Sequence, residues 1–345
     1  MTITWSLVST MLGVPETILP CIAHHLQSDA ARLHLYLDAP LPQIEAALAG
    51  HPRCRVTVCD AAHWAQQPGG RPEGVVRRQM ANLDHARRHS DSDWLVHVDS
   101  DEFLVATDPA QPLALGPELA RVPAGHHWVR IAPLERVMPP APAPHSIFDG
   151  LFRAATTDAA LIAAAYGPGA AYLHHGLSGH ARGKIGFRRK TRLRVRLHDV
   201  IRPPPRGITA PVPPPAEEPP PFTDLAALRL LHFEGWSPLH WASKLVRFAE
   251  EGRFEGHNKG RRAAVRFMAD HPEAAARRGL FDLVQRLTPQ GLARLAEAGL
   301  LRQVPFDPAA LTRATFPGVA LDFGIAACDA RLRAHAPEFY HRNGL

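Results

Sequence analysis

The sequence predicts an α/β architecture: a mostly parallel sheet wound with helices, followed by a helical C-terminal region. Three observations carry this. Short apolar runs rich in β-formers alternate with helical periods through the first hundred residues, Pro and Gly fall at the joins, and beyond His240 the helical periods dominate. Strands separated by helices need crossover connections, and crossovers leave neighbouring strands parallel.

Ile3 to Ser9 reads as a first strand, closed by Gly13 and Pro15, and Glu16 to Gln27 as a helix with Ile18, Cys21, Ile22 and Leu26 at helical spacing. Arg32 to Asp38 alternates, with Leu33, Leu35 and Leu37 on one face and His34 and Tyr36 on the other. Pro40 and Pro42 lead into a short helix, Ile44 to Leu48, ended by Gly50. Cys54 to Val58 is a third strand, Val75 to Arg88 a helix and Trp94 to Val98 a fourth strand. The pattern then loosens, through a Pro-rich loop from Pro139 to Pro144 and an Ala-rich stretch near Ala159 to Ala165. From Arg202 to Pro221 the prolines, with fixed φ and no amide donor, exclude a helix or central strand and predict an exposed excursion or lid. Helices are expected at Trp241 to Glu251, Arg261 to Ala269, Pro272 to Leu287 and Pro289 to Ala298. The expected division is a catalytic domain over 1–248 and a helical region over 249–345.

The 345 residues suffice for one large domain and an appendage, and a charged share of 21% is that of an ordinary folded chain. Lys and Arg number 39 against 33 Asp and Glu, a formal excess of +6 that suits polyanionic ligands: nucleic acid, anionic lipid or sugar diphosphates. Cys21, Cys54, Cys59 and Cys328 form no C-x-x-C pair, which argues against a zinc ribbon or disulfide framework and points to a reducing cytoplasm. Met1 to Trp5 does not read as a leader, and charged residues or Pro interrupt every apolar run, so any membrane contact is expected to be peripheral.

Two Asp-x-Asp triplets lie close together, Asp91-Ser92-Asp93 and Asp99-Ser100-Asp101. The first precedes the apolar strand and reads as a polar turn. The second ends the strand, and in open α/β sheets ligands bind beyond such carboxyl ends, where Asp38 also stands. Paired carboxylates repel unless a cation compensates, and hard oxygen ligands favour Mg2+ or Mn2+. Such an ion stabilises charge on a leaving nucleoside diphosphate.

The run Trp94 to Leu104, with Asp99-Ser100-Asp101-Glu102-Phe103-Leu104 at its end, resembles the D-x-D-E-F-L strand end of bacterial family 2-like glycosyltransferases and of the related family 92 enzymes. Other pieces stand in that family's order: Arg77 and Gln79 with His85 on the preceding helix, Tyr36-Leu37-Asp38 at the second strand end, Gly183-Lys184 with Arg188, and Leu231-His232-Phe233 followed by Lys244. The resemblance spans about residues 3 to 248. It implies a GT-A fold, a nucleotide-sugar donor with UDP as its nucleotide, Asp38, Arg77, Gln79, Asp99 and Lys184 toward that donor, and a metal held by Asp101 with Asp99 and His232. An imidazole ligand tilts selectivity toward Mn2+ over Mg2+. Two departures stand out: Thr10 to Val14 replaces an Arg-Asn-Glu-like run at the first strand, and Leu134-Glu135-Arg136-Val137 replaces a glycine-rich acceptor stretch.

Inverting transfer needs a base at the acceptor hydroxyl. Asp149 stands where the family tends to have an acid before an aromatic, and Glu234 lies two residues after His232. The acceptor, a saccharide, a lipid-linked sugar or a protein, is left open. His24-His25 and His174-His175 read as structural. Arg188 to Arg196 alternates basic and apolar residues, a solvated strand face, a counter-charge for diphosphate or a docking stripe. Without interleaved aromatics it does not suit single-stranded nucleic acid, and no nucleic-acid partner is expected. Two rival classes remain: a basic docking module with an inert acidic turn, and a metal-dependent nucleotidyltransferase or phosphohydrolase.

Overall fold

The strands take shape in chain order around β1 (Trp5–Met11), which is buried along its whole length. A computed structural model describes residues 2–202, 219–252 and 258–345, so nearly all of the expected proline-rich excursion lies outside the described residues. After β1 come β2 (Arg32–Leu37), β3 (Cys54–Val58), β4 (Trp94–His97), β5 (Glu102–Ala106), β6 (Trp128–Ile131), β7 (Pro133–Val137), β8 (Leu151–Ala154) and β9 (Lys184–Arg188). A short pair, β10 (Arg194–Val195) and β11 (Val200–Ile201), precedes β12 (Phe222–Asp224), β13 (Leu228–His232) and β14 (Leu301–Arg302).

Two sheets result. The first runs β12-β6-β9-β4-β1-β2-β3; β4, β1, β2 and β3 are mutually parallel as the crossovers require, and β9 runs antiparallel between β4 and β6. The second runs β14-β8-β7-β13-β5. The chain steps from the first sheet to the second three times, through Asp99-Ser100-Asp101 between β4 and β5, at Ala132 between β6 and β7, and through Leu225-Ala226-Ala227 between β12 and β13. The Asp-x-Asp triplet is therefore a turn on the seam between sheets.

Helices cover both faces of the first sheet. Ile18, Leu19 and Ile22 of the helix Pro15–His25 pack with Leu7, Met11, Leu33, Leu35 and Leu37, while Leu83 and Ala86 of the helix Val75–His89 pack with Val8, Tyr36 and Leu95. The expected alternation along β2 holds, but its polar face is buried as well, with Tyr36 hydrogen-bonded to His85 at 2.7 Å. Each such buried apolar side chain contributes about 1.5 to 3 kcal/mol.

The helical C-terminal region is present. The helix Pro289–Glu297 begins where expected, and two others begin two or three residues early, where a cap decides the start: Ser237 accepts from the His240 amide at the head of Pro238–Glu250, and Asn258 from the Arg261 amide at the head of Lys259–Asp270. The helix Pro238–Glu250 runs through residue 248, β14 joins the second sheet, and Phe316, Phe323, Cys328, Leu332 and Tyr340 pack into the core built on β1. No helix among the described residues is long and apolar enough to cross a membrane.

The stretch Arg188 to Arg196 is not one strand. β9 stops at Arg188, a turn follows, and β10 starts at Arg194, yet the faces still alternate: Arg192, Arg194 and Arg196 are exposed, and Val195 and Leu197 are buried.

Candidate active site

At the end of β4 the ladder closes with the Val98 amide on the Val8 carbonyl, and a tight turn brings the Glu102 amide onto the Asp99 carbonyl at 3.1 Å. Asp99 uses both carboxylate oxygens: Oδ1 accepts from Gln79 Nε2 and Oδ2 from Lys184 Nζ, each at 2.6 Å. Lys184 is wholly buried and also lies 3.3 Å from Glu102 Oε2. Burial alone would raise the Asp99 pKa, but Lys184, then His97, outweighs it and holds this carboxyl well below the usual carboxylate range.

Asp101 turns the other way. Its Oδ2 accepts from Lys244 Nζ at 2.8 Å, and that ammonium also lies 3.5 Å from Glu234 Oε2. Strand alternation does not apply in a turn, so the two aspartates meet separate lysines. Glu234 is buried and additionally bonded to Arg261; burial would raise its pKa, but Arg261 and Lys244 bring it down to about 2.

His232 joins the halves. In register it stands opposite Glu102 across β5 and β13 and opposite Glu135 across β13 and β7, and residues opposite one another share a face. Its Nε2 is 3.3 Å from Glu234 Oε2; its Nδ1 is 3.8 Å from Glu135 Oε2 and has no hydrogen-bond partner among the described residues. Glu135 is fully buried and takes Arg153 at 2.6 Å, the Ser178 amide at 2.8 Å and the Gly179 amide at 2.6 Å. Glu102 Oε1 pairs with His180 Nε2 at 2.8 Å, and burial, with Asp99 and Asp101 nearby, pushes the Glu102 pKa up. Gly179 lies against this cluster: a Cβ there would fall 2.6 Å from His232 Cε1 and 2.9 Å from both Glu135 Oε2 and Glu234 Oε2.

The charges do not balance. Among the described residues, five carboxylates (Asp99, Asp101, Glu102, Glu135, Glu234) face four permanent cations (Lys184, Lys244, Arg153, Arg261). A proton on Glu102 or an added cation makes up the difference. One ligand atom from each of Glu102, His180 and His232 lies within 4.8 Å of the others, as does one from each of Glu135, His232 and Glu234.

The remaining expected residues are more dispersed. Asp38, at the end of β2, is buried and held by Arg78 Nε at 2.8 and 2.9 Å, with Arg71 at 3.6 Å. Arg77, expected toward the donor, is exposed, and its neighbour Arg78, a 100° turn further along the helix, is the one that meets Asp38. Asp149 is exposed and accepts the amides of His145 and Ser146 at 2.8 and 2.9 Å, which makes it the anchor of a local turn. His25 is buried, bonded to the Cys21 carbonyl and the Leu104 amide. Nothing in the sequence singles out Glu135, Gly179, His180 or Arg261, which depend on pairings between distant segments. Glu102 sits inside the acidic run that draws attention to the turn, without a role of its own there.

No family model and no curated protein matches the chain. Among solved structures, a mycobacterial protein is 23% identical at a TM-score of 0.29, covering 54% of this chain and 54% of that one. A putative glucose-1-phosphate thymidylyltransferase from Bacillus anthracis, in complex with a sucrose, is 10% identical at 0.27, covering 39% of this chain and 55% of that one. TarS from S. aureus is 12% identical at 0.30, covering 99% of this chain and 92% of that one. The chain thus spans about half the length of the first two. Overlaps this loose carry no argument about function, which must rest on the chain's own geometry.

Proposed function

We propose that the chain is a metal-dependent glycosyltransferase of the GT-A kind that moves a sugar from a nucleoside diphosphate, UDP first, to a hydroxyl acceptor with inversion. The observation that carries it is the seam cluster: carboxylates, imidazoles and two lysines gathered beyond the carboxyl end of β4 in a parallel row of strands, where α/β sheets bind ligands. Asp38, steadied by Arg78, faces the nucleoside in this reading, and Gln79, Asp99 and Lys184 the ribose and diphosphate. Lys184 and Lys244 supply positive charge to the leaving diphosphate.

The residues fit a divalent ion. Among the described residues the unpartnered His232 Nδ1, the shortfall of one positive charge and the space kept by Gly179 each favour one, and the family resemblance assigns it to Asp101 and His232 with Asp99 beside them. When bound, such an ion acts as a Lewis acid on the departing phosphate oxygens. Glu234 is the proposed base within the cluster; Arg261 and Lys244 hold its pKa below the usual carboxylate value, so it takes the acceptor proton once the acceptor has drawn it out of those pairs. Asp149, the other acid proposed as base, anchors its turn through Oδ2 and lies outside the seam cluster.

Calorimetric titration of UDP into wild type and Asp101→Asn, with and without Mn2+, tests the reading. Mn2+-dependent binding that weakens at least about tenfold in the variant supports it. Binding of neither UDP nor other nucleoside diphosphates would overturn it, and release of pyrophosphate rather than nucleoside diphosphate in turnover would favour nucleotidyl transfer.

A further inference from the structure

We infer that the metal of this site is held by Glu102, His180 and His232 rather than by the Asp-x-Asp turn, and that it is a borderline transition ion in preference to Mg2+. This rests on the metal dependence proposed above and changes where the ion sits.

The turn is already compensated. Both Asp99 oxygens are taken, by Gln79 and Lys184, and Asp101 Oδ2 by Lys244. An ion at the turn would have to displace the Lys184 and Lys244 ammonium groups from these carboxylates.

The imidazole pocket is under-supplied. His232 is buried, and among the described residues neither its Nδ1 nor the buried Nδ1 of His180 has a hydrogen-bond partner. Buried polar atoms without partners are uncommon and call for an explanation such as an ion. The His180 and His232 rings lie 5.0 Å apart, and Glu102 Oε1 is 2.8 Å from His180 Nε2. Ligand atoms in a tetrahedral shell at about 2.1 Å from a metal stand about 3.4 Å apart, so a set already within 4.8 Å closes by small side-chain movements.

The other trio on His232 is less free. Glu135 accepts from Arg153 and two amides, and Glu234 from Arg261 and Lys244, so their lone pairs are largely engaged. Glu102 Oε2 is taken by the Asp99 amide at 2.8 Å and by Lys184 Nζ at 3.3 Å, outer contacts of the kind that orient a metal-binding carboxylate, which leaves Oε1, paired with His180 alone, to face the imidazoles. Two imidazoles and one carboxylate select borderline transition ions over Mg2+, which prefers oxygen ligands and bound water.

The test uses the full chain and metal alone. Co2+ is titrated into wild type, His180→Gln and Asp101→Asn, following its visible d–d absorption and binding heat, with circular dichroism and thermal melts to confirm folding. The inference expects Co2+ affinity to fall at least tenfold in His180→Gln and less than threefold in Asp101→Asn, and expects Mg2+ to compete poorly. Pulsed paramagnetic resonance of Mn2+ in the wild type should show nitrogen couplings from two imidazoles, a signature independent of any variant's folding. Loss in Asp101→Asn with retention in His180→Gln would put the ion at the turn and overturn the inference while leaving the glycosyltransferase reading intact. UDP binding without any metal binding would overturn the inference and the metal dependence together.

Discussion

Replacing Lys184 by methionine keeps the length and volume of the side chain and removes its charge. Two carboxylates then lose their ammonium: Asp99, at 2.6 Å, and the fully buried Glu102, at 3.3 Å. Removing one partner of a buried pair costs about 3 to 5 kcal/mol, because the charge left behind stays desolvated. That is a large part of a folding free energy of about 5 to 15 kcal/mol. The strained groups respond by binding protons. In the variant both carboxyls should have folded-state pKa values above their unfolded ones, so the folded state binds more protons than the unfolded one, and stability is regained as pH falls toward the unfolded value. Urea denaturation at pH 7.5 and pH 5.5 should therefore show a large loss at the higher pH and a smaller one at the lower. Asp99→Asn added to Lys184→Met should restore more than about 1 kcal/mol relative to additivity, since the two groups are in contact. A loss under about 1 kcal/mol at pH 7.5, or a loss that grows on acidification, would refute the claim that Lys184 neutralises the turn.

Three further outcomes rest on particular contacts. Gly179→Ala places a methyl 2.6 Å from His232 Cε1 and should weaken Mn2+ binding at least tenfold by calorimetry while leaving a cooperative melt. Arg78→Ala removes the clasp on Asp38 and should weaken UDP binding about tenfold, a loss of about 1.4 kcal/mol, whereas the exposed Arg77→Ala should change it less than twofold. Burial lowers His24 and His34 to about 4, below their unfolded value near 6.5, so their neutral forms contribute stability above that value that is lost as pH falls toward 4. The slope is about 1.4 kcal/mol per pH unit for each in that window, and urea midpoints at pH 7, 6 and 5 should fall in step; a flat profile would contradict it.

Much of the frame is legible because it is local. Cys54–Val58 appears as a strand with its expected ends, and the four helices expected after His240 are all present, two with starts moved by the Ser237 and Asn258 caps. Gln79 and Lys184 reach Asp99, and it is the resemblance to the glycosyltransferases that marks them in the sequence. What escapes a sequence reading is what register and helix phase decide. Glu102, His232 and Glu135 form a row only because β13 lies between β5 and β7, a pairing of segments about a hundred residues apart that no local period encodes. Arg77 and Arg78 are equivalent in composition, and a single residue of helix phase decides which meets Asp38. The basic alternation after Arg188 survives the turn that breaks the strand, because burying Val195 and Leu197 sets the faces whether or not the ladder is continuous.

Repulsion between neighbouring aspartates requires positive charge, but it does not say whether an ammonium or a metal supplies it. In this fold Lys184 comes from the first residue of β9 and Lys244 from the helix Pro238–Glu250, so the compensation arrives from segments far along the chain and is invisible in the triplet itself. Once both lysines are counted, four permanent cations still face five carboxylates among the described residues, and Glu102 shares Lys184 with Asp99. The imidazoles of His180 and His232 stand beside Glu102. The acidic turn and the proposed metal pocket are then neighbouring parts of one charge network, joined through Lys184.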